Sequence, residues 1–379
     1  MITERQLRLM RRNFLFWLSR KIDYPLILPD VLQINFTFRC NLRCKMCSMH
    51  ELIESFKSKN KSYELGIPTI KKIIKEASDM GIRSVILIGG EPFLEPRLFE
   101  LVSFANDCGM TGVTVVTNGT LISGEVLDNI FEFQLGFLSI SIDAASEETF
   151  AKIRGEKVLG KIIENINAIN KKKEEREVSS PQIVSVCTVM DQNLEELMDV
   201  IELCKRLKIA QVIFQPVVGD NTDQTRVDFS SCVFIPQSRY EVLDKAIDKL
   251  IDYKLSSNEN FDFIANSIGH MRLIKKYFRG QLKPQEIPCY SGYNRIQIVQ
   301  EGKIYFCVNQ DKNEATFGDV DRDSLKDLWF SQQARSFRKL IKTCDFPCLQ
   351  WCAYRDEFIE LSEIWEKKDI RKKRPSKNI

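Results

Sequence analysis

Gln33-Ile34-Asn35-Phe36-Thr37-Phe38-Arg39-Cys40-Asn41-Leu42-Arg43-Cys44-Lys45-Met46-Cys47 is a strand-like run that opens directly into a C-x3-C-x2-C loop. Thiolates bunched this closely on irregular backbone can all turn toward one soft metal centre, a task for which cysteine is the preferred ligand. An iron–sulfur cube takes four thiolates, one per iron, so three local ligands leave one iron open to something other than protein. Structural zinc is the alternative, but it usually takes four ligands in paired short spacings. The chain has only 2 histidines, His50 and His270, to help complete such a set.

Working outward, five more apolar, β-branched runs follow the first strand (32–38): 83–88, 112–117, 137–142, 182–189 and 210–216. Helix-period segments at 67–80, 94–108, 123–133, 160–176 and 193–207 lie between them, bounded by Gly, Asn, Asp or Pro. Strand–helix alternation specifies an α/β fold with a parallel sheet and right-handed crossovers. In barrels of this kind reactive groups gather at the carboxyl ends of strands. The second strand runs into Gly89-Gly90-Glu91-Pro92, where paired glycines permit close backbone approach to a ligand and proline fixes the turn. The third ends in Thr117-Asn118-Gly119-Thr120. The fourth, Ser139-Ile140-Ser141-Ile142-Asp143, turns its serines and aspartate to one side and its isoleucines to the other. Taken alone, Asp143 reads equally well as a helix cap, and Arg154 as a solvated charge.

The three-cysteine loop with Gly-Gly-Glu-Pro after the second strand resembles the signature of radical S-adenosylmethionine (radical SAM) enzymes. The resemblance implies a partial six-stranded, TIM-like β/α barrel over about residues 30–218, with a [4Fe–4S] cluster on Cys40, Cys44 and Cys47. S-adenosylmethionine would chelate the open iron, and its reductive cleavage would give a 5′-deoxyadenosyl radical that takes a hydrogen atom from substrate. Gly89, Gly90, Glu91 and Pro92 would meet the amino group of the methionyl moiety, with Asn118 in the same cofactor-binding set. Ser141 and Asp143 would lie near the ribose, Arg154 at the cofactor carboxylate, and Val212 to Pro216 along the adenine. Relatives often carry an aromatic residue where this chain has Met46, whose thioether still packs against an adenine ring.

A later set of cysteines is also ordered. Cys289 and Cys307 flank a hairpin turning at Gln300-Glu301-Gly302-Lys303, where Gly302 supplies positive φ. An amphipathic helix at 324–342 follows, and then Cys344, Cys348 and Cys352. This arrangement resembles the cluster-binding extension called SPASM, or its shorter twitch form. Five cysteines in place of the full seven imply one auxiliary [4Fe–4S] cluster held by four of them. A zinc ribbon is the alternative. Of the others, Cys108, Cys187 and Cys204 fall on apolar faces as small hydrophobes, while Cys187 or Cys232 is a candidate for returning a hydrogen atom to a substrate radical.

The resulting organisation is a basic amphipathic N-terminal helix (1–29), the barrel (30–218), a helical bridge or lid (219–285), a small α+β auxiliary domain (286–356), and a C-terminal helix with a basic tail (357–379). A net charge of +3 on 379 residues gives no large basic field, so nucleic acid is not an expected partner. The 12 cysteines, with no signal peptide or long apolar span, imply a reducing cytoplasm. Residues 4–21 set Phe14, Trp17 and Leu18 among arginines, a pattern that suits packing on the barrel or peripheral contact with a membrane surface. Scarce histidine disfavours imidazole acid–base chemistry.

The resemblance implies an external reductant such as flavodoxin or ferredoxin, and a small-molecule or peptide substrate. Peptide-modifying relatives often carry a leader-binding domain, whereas 39 residues precede Cys40. That leans toward oxidation or epimerisation of a small polar molecule such as a sugar derivative, with a ribosomal-peptide or protein maturase as the alternative. A non-catalytic iron–sulfur electron carrier or sensor is the competing class, against which the Gly-Gly-Glu-Pro and Ser/Asp strand ends count.

Overall fold

A computed structural model describes residues 4–47, 49, 54, 64–218, 233–283, 286–307, 318–343 and 348–350. Helix α1 (Glu4–Ile22) leads into β1 (Val31–Thr37). The barrel then alternates α2 (Ile67–Met80), β2 (Ser84–Gly89), α3 (Leu98–Asp107), β3 (Gly112–Thr117), α4 (Gly124–Glu132) and β4 (Phe137–Ser141). Two helices, α5 (Glu147–Arg154) and α6 (Leu159–Glu175), precede β5 (Gln182–Val189), and α7 (Leu197–Arg206) precedes β6 (Gln211–Pro216). Local chemistry fixes these bounds. Helix α2 starts with Pro68 in its first turn and stops at Gly81, whose φ of 96° lets its N–H reach back to the last carbonyls.

All neighbouring pairs among β1–β6 are parallel and the strand order is sequential. Right-handed crossovers in sequential order place every connecting helix on one face of the sheet, so the other face becomes the lumen of a partial barrel. Burial alternates accordingly. Leu32, Ile34, Val85, Leu87, Val113, Val115, Leu138 and Ile140 are buried against the helices. Their alternates Gln33, Asn35, Ile86, Ile88, Thr114, Val116, Ser139 and Ser141 are half-buried and line the lumen.

Beyond the barrel, α8 (Tyr240–Ser256), α9 (Asn258–Phe263) and α10 (Ile268–Phe278) pack together near β6. The anticipated hairpin forms β7 (Arg295–Ile298) and β8 (Ile304–Tyr305), turning at Gly302 with φ 78°. It does not stand apart: β7 pairs parallel with β1, Val31 beside Arg295 and Ile34 beside Ile298, so one eight-stranded sheet carries both regions. The single helix expected over 324–342 is two, α11 (Leu325–Phe330) and α12 (Gln332–Lys342). Ser331 separates them, its extended ψ of 160° ending one helix while its hydroxyl accepts from Ala334 N to cap the next.

Helix α1 lays Phe16, fully buried, against Tyr290 and Tyr293, while Arg20 Nε donates to the Cys289 carbonyl at 3.2 Å. Leu7 and Phe14 remain exposed. Among the described residues no helix is long and apolar enough to cross a membrane.

Candidate functional site

The cysteine loop is anchored by its apolar residues: Phe38 and Leu42 are buried in the core, leaving Cys40 and Cys44 half-buried and Cys47 exposed. Backbone bonds stitch the loop to two other segments. Gly90 N donates to Thr37 O (2.8 Å), Glu91 N to Arg39 O (2.7 Å), and Lys45 N to Ile153 O (2.9 Å). Asn41, inside the C-x3-C spacing, donates to Thr120 Oγ1 and accepts from Asn118 Nδ2, both at 2.9 Å. The ends of β1, β2, β3 and α5 thereby form one hydrogen-bonded assembly.

The paired glycines also serve packing within the protein. A Cβ on Gly89 would lie 2.3 Å from Thr37 O, and one on Gly90 would lie 2.1 Å from Arg39 O. Their missing side chains let the end of β2 press against the cysteine loop's own backbone. Gly90→Ala is therefore expected to displace the loop, costing at least about 2 kcal/mol and lowering iron retention after reconstitution. Thermal denaturation and iron assay check this.

Glu91 is likewise internal. Its carboxylate accepts from Thr117 Oγ1 (2.7 Å), Asn118 N (2.8 Å) and Phe93 N (3.2 Å) and has no solvent exposure. Burial raises its pKa and those three donors oppose the rise. Glu91 thus ties β2 to β3.

At the end of β4, Asp143 is fully buried and is not a helix cap; Ser146 caps α5, accepting from Thr149 N. Asp143 Oδ1 accepts from Thr188 N (2.7 Å), and Oδ2 accepts from Arg154 Nε (2.5 Å) and Nη2. Nor is Arg154 solvated, being 9 % exposed, with Nη1 at 3.6 Å from Cys44 Sγ. Burial opposes its charge, yet Asp143 and Cys44 hold its pKa above the usual value. Burial raises the Cys44 thiol, and Arg154 works against that rise; burial raises Cys40 as well. Gly155, with φ 86°, completes the fit, since a Cβ there would lie 2.8 Å from Arg43 O. Ser141 sits half-buried on the lumen face. Both Asp143 oxygens are thus hydrogen-bonded within the protein, to Thr188 N and to Arg154.

In the auxiliary region Ser291 Oγ donates to Phe306 O, and Gly292 packs on the Phe306 ring, which brings the Cys289 turn alongside the strand leading to Cys307. Cys348 belongs to a segment at the other edge of the sheet, where His270 Nε2 lies 3.3 Å from Leu349 O and Gln350 donates to Pro216 O. Cys344 and Cys352 lie outside the described residues, as does Cys232. Among the described residues no three Cys, His, Asp or Glu side chains close on a single metal ion. Cys187 is not placed to return a hydrogen atom to a radical in the lumen. It is fully buried on the helix side of β5 with Ile183 and Val189, next to Asn193 Nδ2 (3.8 Å) and Asp143 O (3.9 Å), and so faces away from the lumen. The parity of the strand already carried that signal.

The donor set suits an iron–sulfur cube: three soft thiols on one loop, with a guanidinium at one of them and the nearby carboxylates already committed. Solved structures share the fold. Streptococcus suis SuiB bound to S-adenosylmethionine superposes with a TM-score of 0.61 at 14% identity, covering 90% of this chain and 71% of its own. Native anSMEcpe with bound AdoMet gives 0.60 at 18%, covering 90% and 97%. Among curated relatives, a tungsten-containing aldehyde ferredoxin oxidoreductase cofactor-modifying protein of Pyrococcus furiosus is 24% identical over 88% of this chain and 90% of its own length. A GTP 3′,8-cyclase of Aquifex aeolicus is 27% identical over 83% and 92%. Residues 34–204 match the model of the radical SAM superfamily and residues 289–354 that of an iron–sulfur cluster-binding domain, SPASM. The chain therefore belongs to the radical SAM superfamily and carries a C-terminal SPASM domain.

Proposed function

We propose that this enzyme generates a substrate radical in its barrel lumen, with Cys40, Cys44 and Cys47 holding the [4Fe–4S] cluster that binds S-adenosylmethionine. Together, when bound, cluster and cofactor supply a 5′-deoxyadenosyl radical able to abstract hydrogen from an unreactive carbon. The observation carrying this reading is the assembly joining the cysteine loop to Gly90, Glu91, Asn118 and Arg154 at the carboxyl ends of the strands.

Each residue then has a task. Leu42 and Phe38 set the height of the thiols. Arg154 favours the thiolate form of Cys44, and Asp143 holds Arg154 in place. Glu91 and Asn41 lock the neighbouring strand ends, and Ser141 offers a hydroxyl to the cofactor from the lumen wall. Pro92 fixes the turn that follows. Four of Cys289, Cys307, Cys344, Cys348 and Cys352 would hold one auxiliary cluster, and a flavodoxin or ferredoxin would supply the electron.

The substrate reading is a small polar molecule. Amides and hydroxyls at Gln33, Asn35, Ser139, Ser141, Thr188 and Gln215 line the lumen, and several relatives are nucleotide cyclases by name. Neither the cofactor-modifying protein nor the cyclase is a sugar enzyme by name, so the lean toward a sugar derivative gains no support from them. Likeness to peptide-bound SuiB is a likeness of fold, at 16% identity.

The test is anaerobic reconstitution, reduction with dithionite and assay for 5′-deoxyadenosine. Formation of the nucleoside is expected; iron incorporation without any cofactor cleavage would leave an electron carrier or sensor instead.

A further inference from the structure

The lumen wall of β1–β6 carries no charged side chain: its inward positions are Gln33, Asn35, Ile86, Ile88, Thr114, Val116, Ser139, Ser141, Val184, Val186, Thr188, Ile213 and Gln215, besides those at the strand starts. One cation enters from the added strand. The register Leu32 beside Ile296 and Ile34 beside Ile298 puts those four buried residues on the helix face, which turns Arg295 and Gln297 inward alongside Val31 and Gln33.

Arg295 is not neutralised there. Among the described residues its guanidinium meets Gln33 Oε1 at 2.7 Å and no carboxylate, and its Nε is buried without a hydrogen bond. Gln33 in turn donates to Asn35 Oδ1 at 3.3 Å, so the amide row holds the arginine in one place. Gln297, 4 % exposed, leaves its buried Oε1 without a donor. A half-buried guanidinium lacking an anion, its Nε buried and unbonded, next to a buried acceptor lacking a donor, is the negative image of an oxyanion with a hydroxyl or N–H beside it.

We infer that Arg295 and Gln297, aligned by Gln33, bind the substrate through a phosphate or carboxylate group and an adjacent hydroxyl or N–H. This rests on the lumen being the substrate site, and it narrows the substrate to a small polyfunctional anion.

The test uses reconstituted holoenzyme at fixed ionic strength. Glycerol 3-phosphate and glycerate share vicinal hydroxyls and differ in their anion; glycerol is the neutral control. Calorimetric titration should show binding of at least one anion and none of glycerol, with affinity falling at least about tenfold in Arg295→Gln. Binding of the phosphate alone assigns a phosphorylated substrate, and binding of glycerate alone a carboxylate. Should Arg295→Gln fail to fold, Gln297→Leu, close in size and apolar, is expected to weaken the same anion about fivefold or more by removing the hydroxyl acceptor. Neither anion binding to wild type, or equal binding to wild type and variants, overturns the inference. The 5′-deoxyadenosine formed by each protein without substrate is measured in parallel and should match wild type. Loss of nucleoside in wild type with intact anion binding would sink the radical-enzyme reading and leave the anion site standing.

Discussion

Replacing Cys40, Cys44 and Cys47 together by alanine is expected to take reconstituted protein from about eight irons per chain to about four, and to abolish 5′-deoxyadenosine formation. The loop is tied to its surroundings through backbone and through Asn41, Phe38 and Leu42, none of which the substitutions touch. The folded scaffold and the C-terminal cysteines should therefore persist, and the loss should be confined to one cluster. Cys108→Ala, at the end of α3 and away from the assembly, serves as the control and should retain its full iron content and activity. Iron and acid-labile sulfide assays beside nucleoside chromatography decide it. If the triple variant kept about eight irons, the cluster would have to be held elsewhere.

The second large effect concerns Asp143. Its removal leaves Arg154 buried with no carboxylate and Thr188 N without its acceptor. Breaking a buried pair from one side costs about 3–5 kcal/mol, whereas replacing both partners by apolar groups is often close to neutral. Asp143→Ala is thus expected to destabilise strongly in chemical denaturation, and Asp143→Ala/Arg154→Leu to recover much of that loss. Nucleoside formation should not recover in the double variant, because Cys44 has lost its guanidinium. A double variant as active as wild type would reduce the pair to a purely structural role. The cycle also gives the coupling energy between the two residues.

Most of the fold was legible because its strands obey local rules. β3 and β5 fall where the β-branched runs fall, and α2 has the bounds its proline and glycine dictate. Boundaries were less legible where two signals compete: the periodic stretch over 324–342 hides a serine able to cap in the middle. Site residues were legible by position and less so by partner. Gly90 and Glu91 were placed correctly at a strand end, but what they touch belongs to β1 and β3, and neither a close approach nor a buried acceptor is written in adjacent residues. In the sequence Arg295 looks like any charge at the start of a hairpin; only the pairing of β7 with β1 turns it inward.

That pairing has a consequence for biosynthesis. Arg295 and Gln33 meet across 262 residues of chain, so during vectorial synthesis this edge of β1 stays unpaired until β7, residues Arg295–Ile298, has emerged. An open, half-apolar parallel edge is a template for intermolecular pairing, and contacts of such sequence separation form slowly. The nascent barrel thus depends on the C-terminal hairpin as a late clasp on the edge of β1.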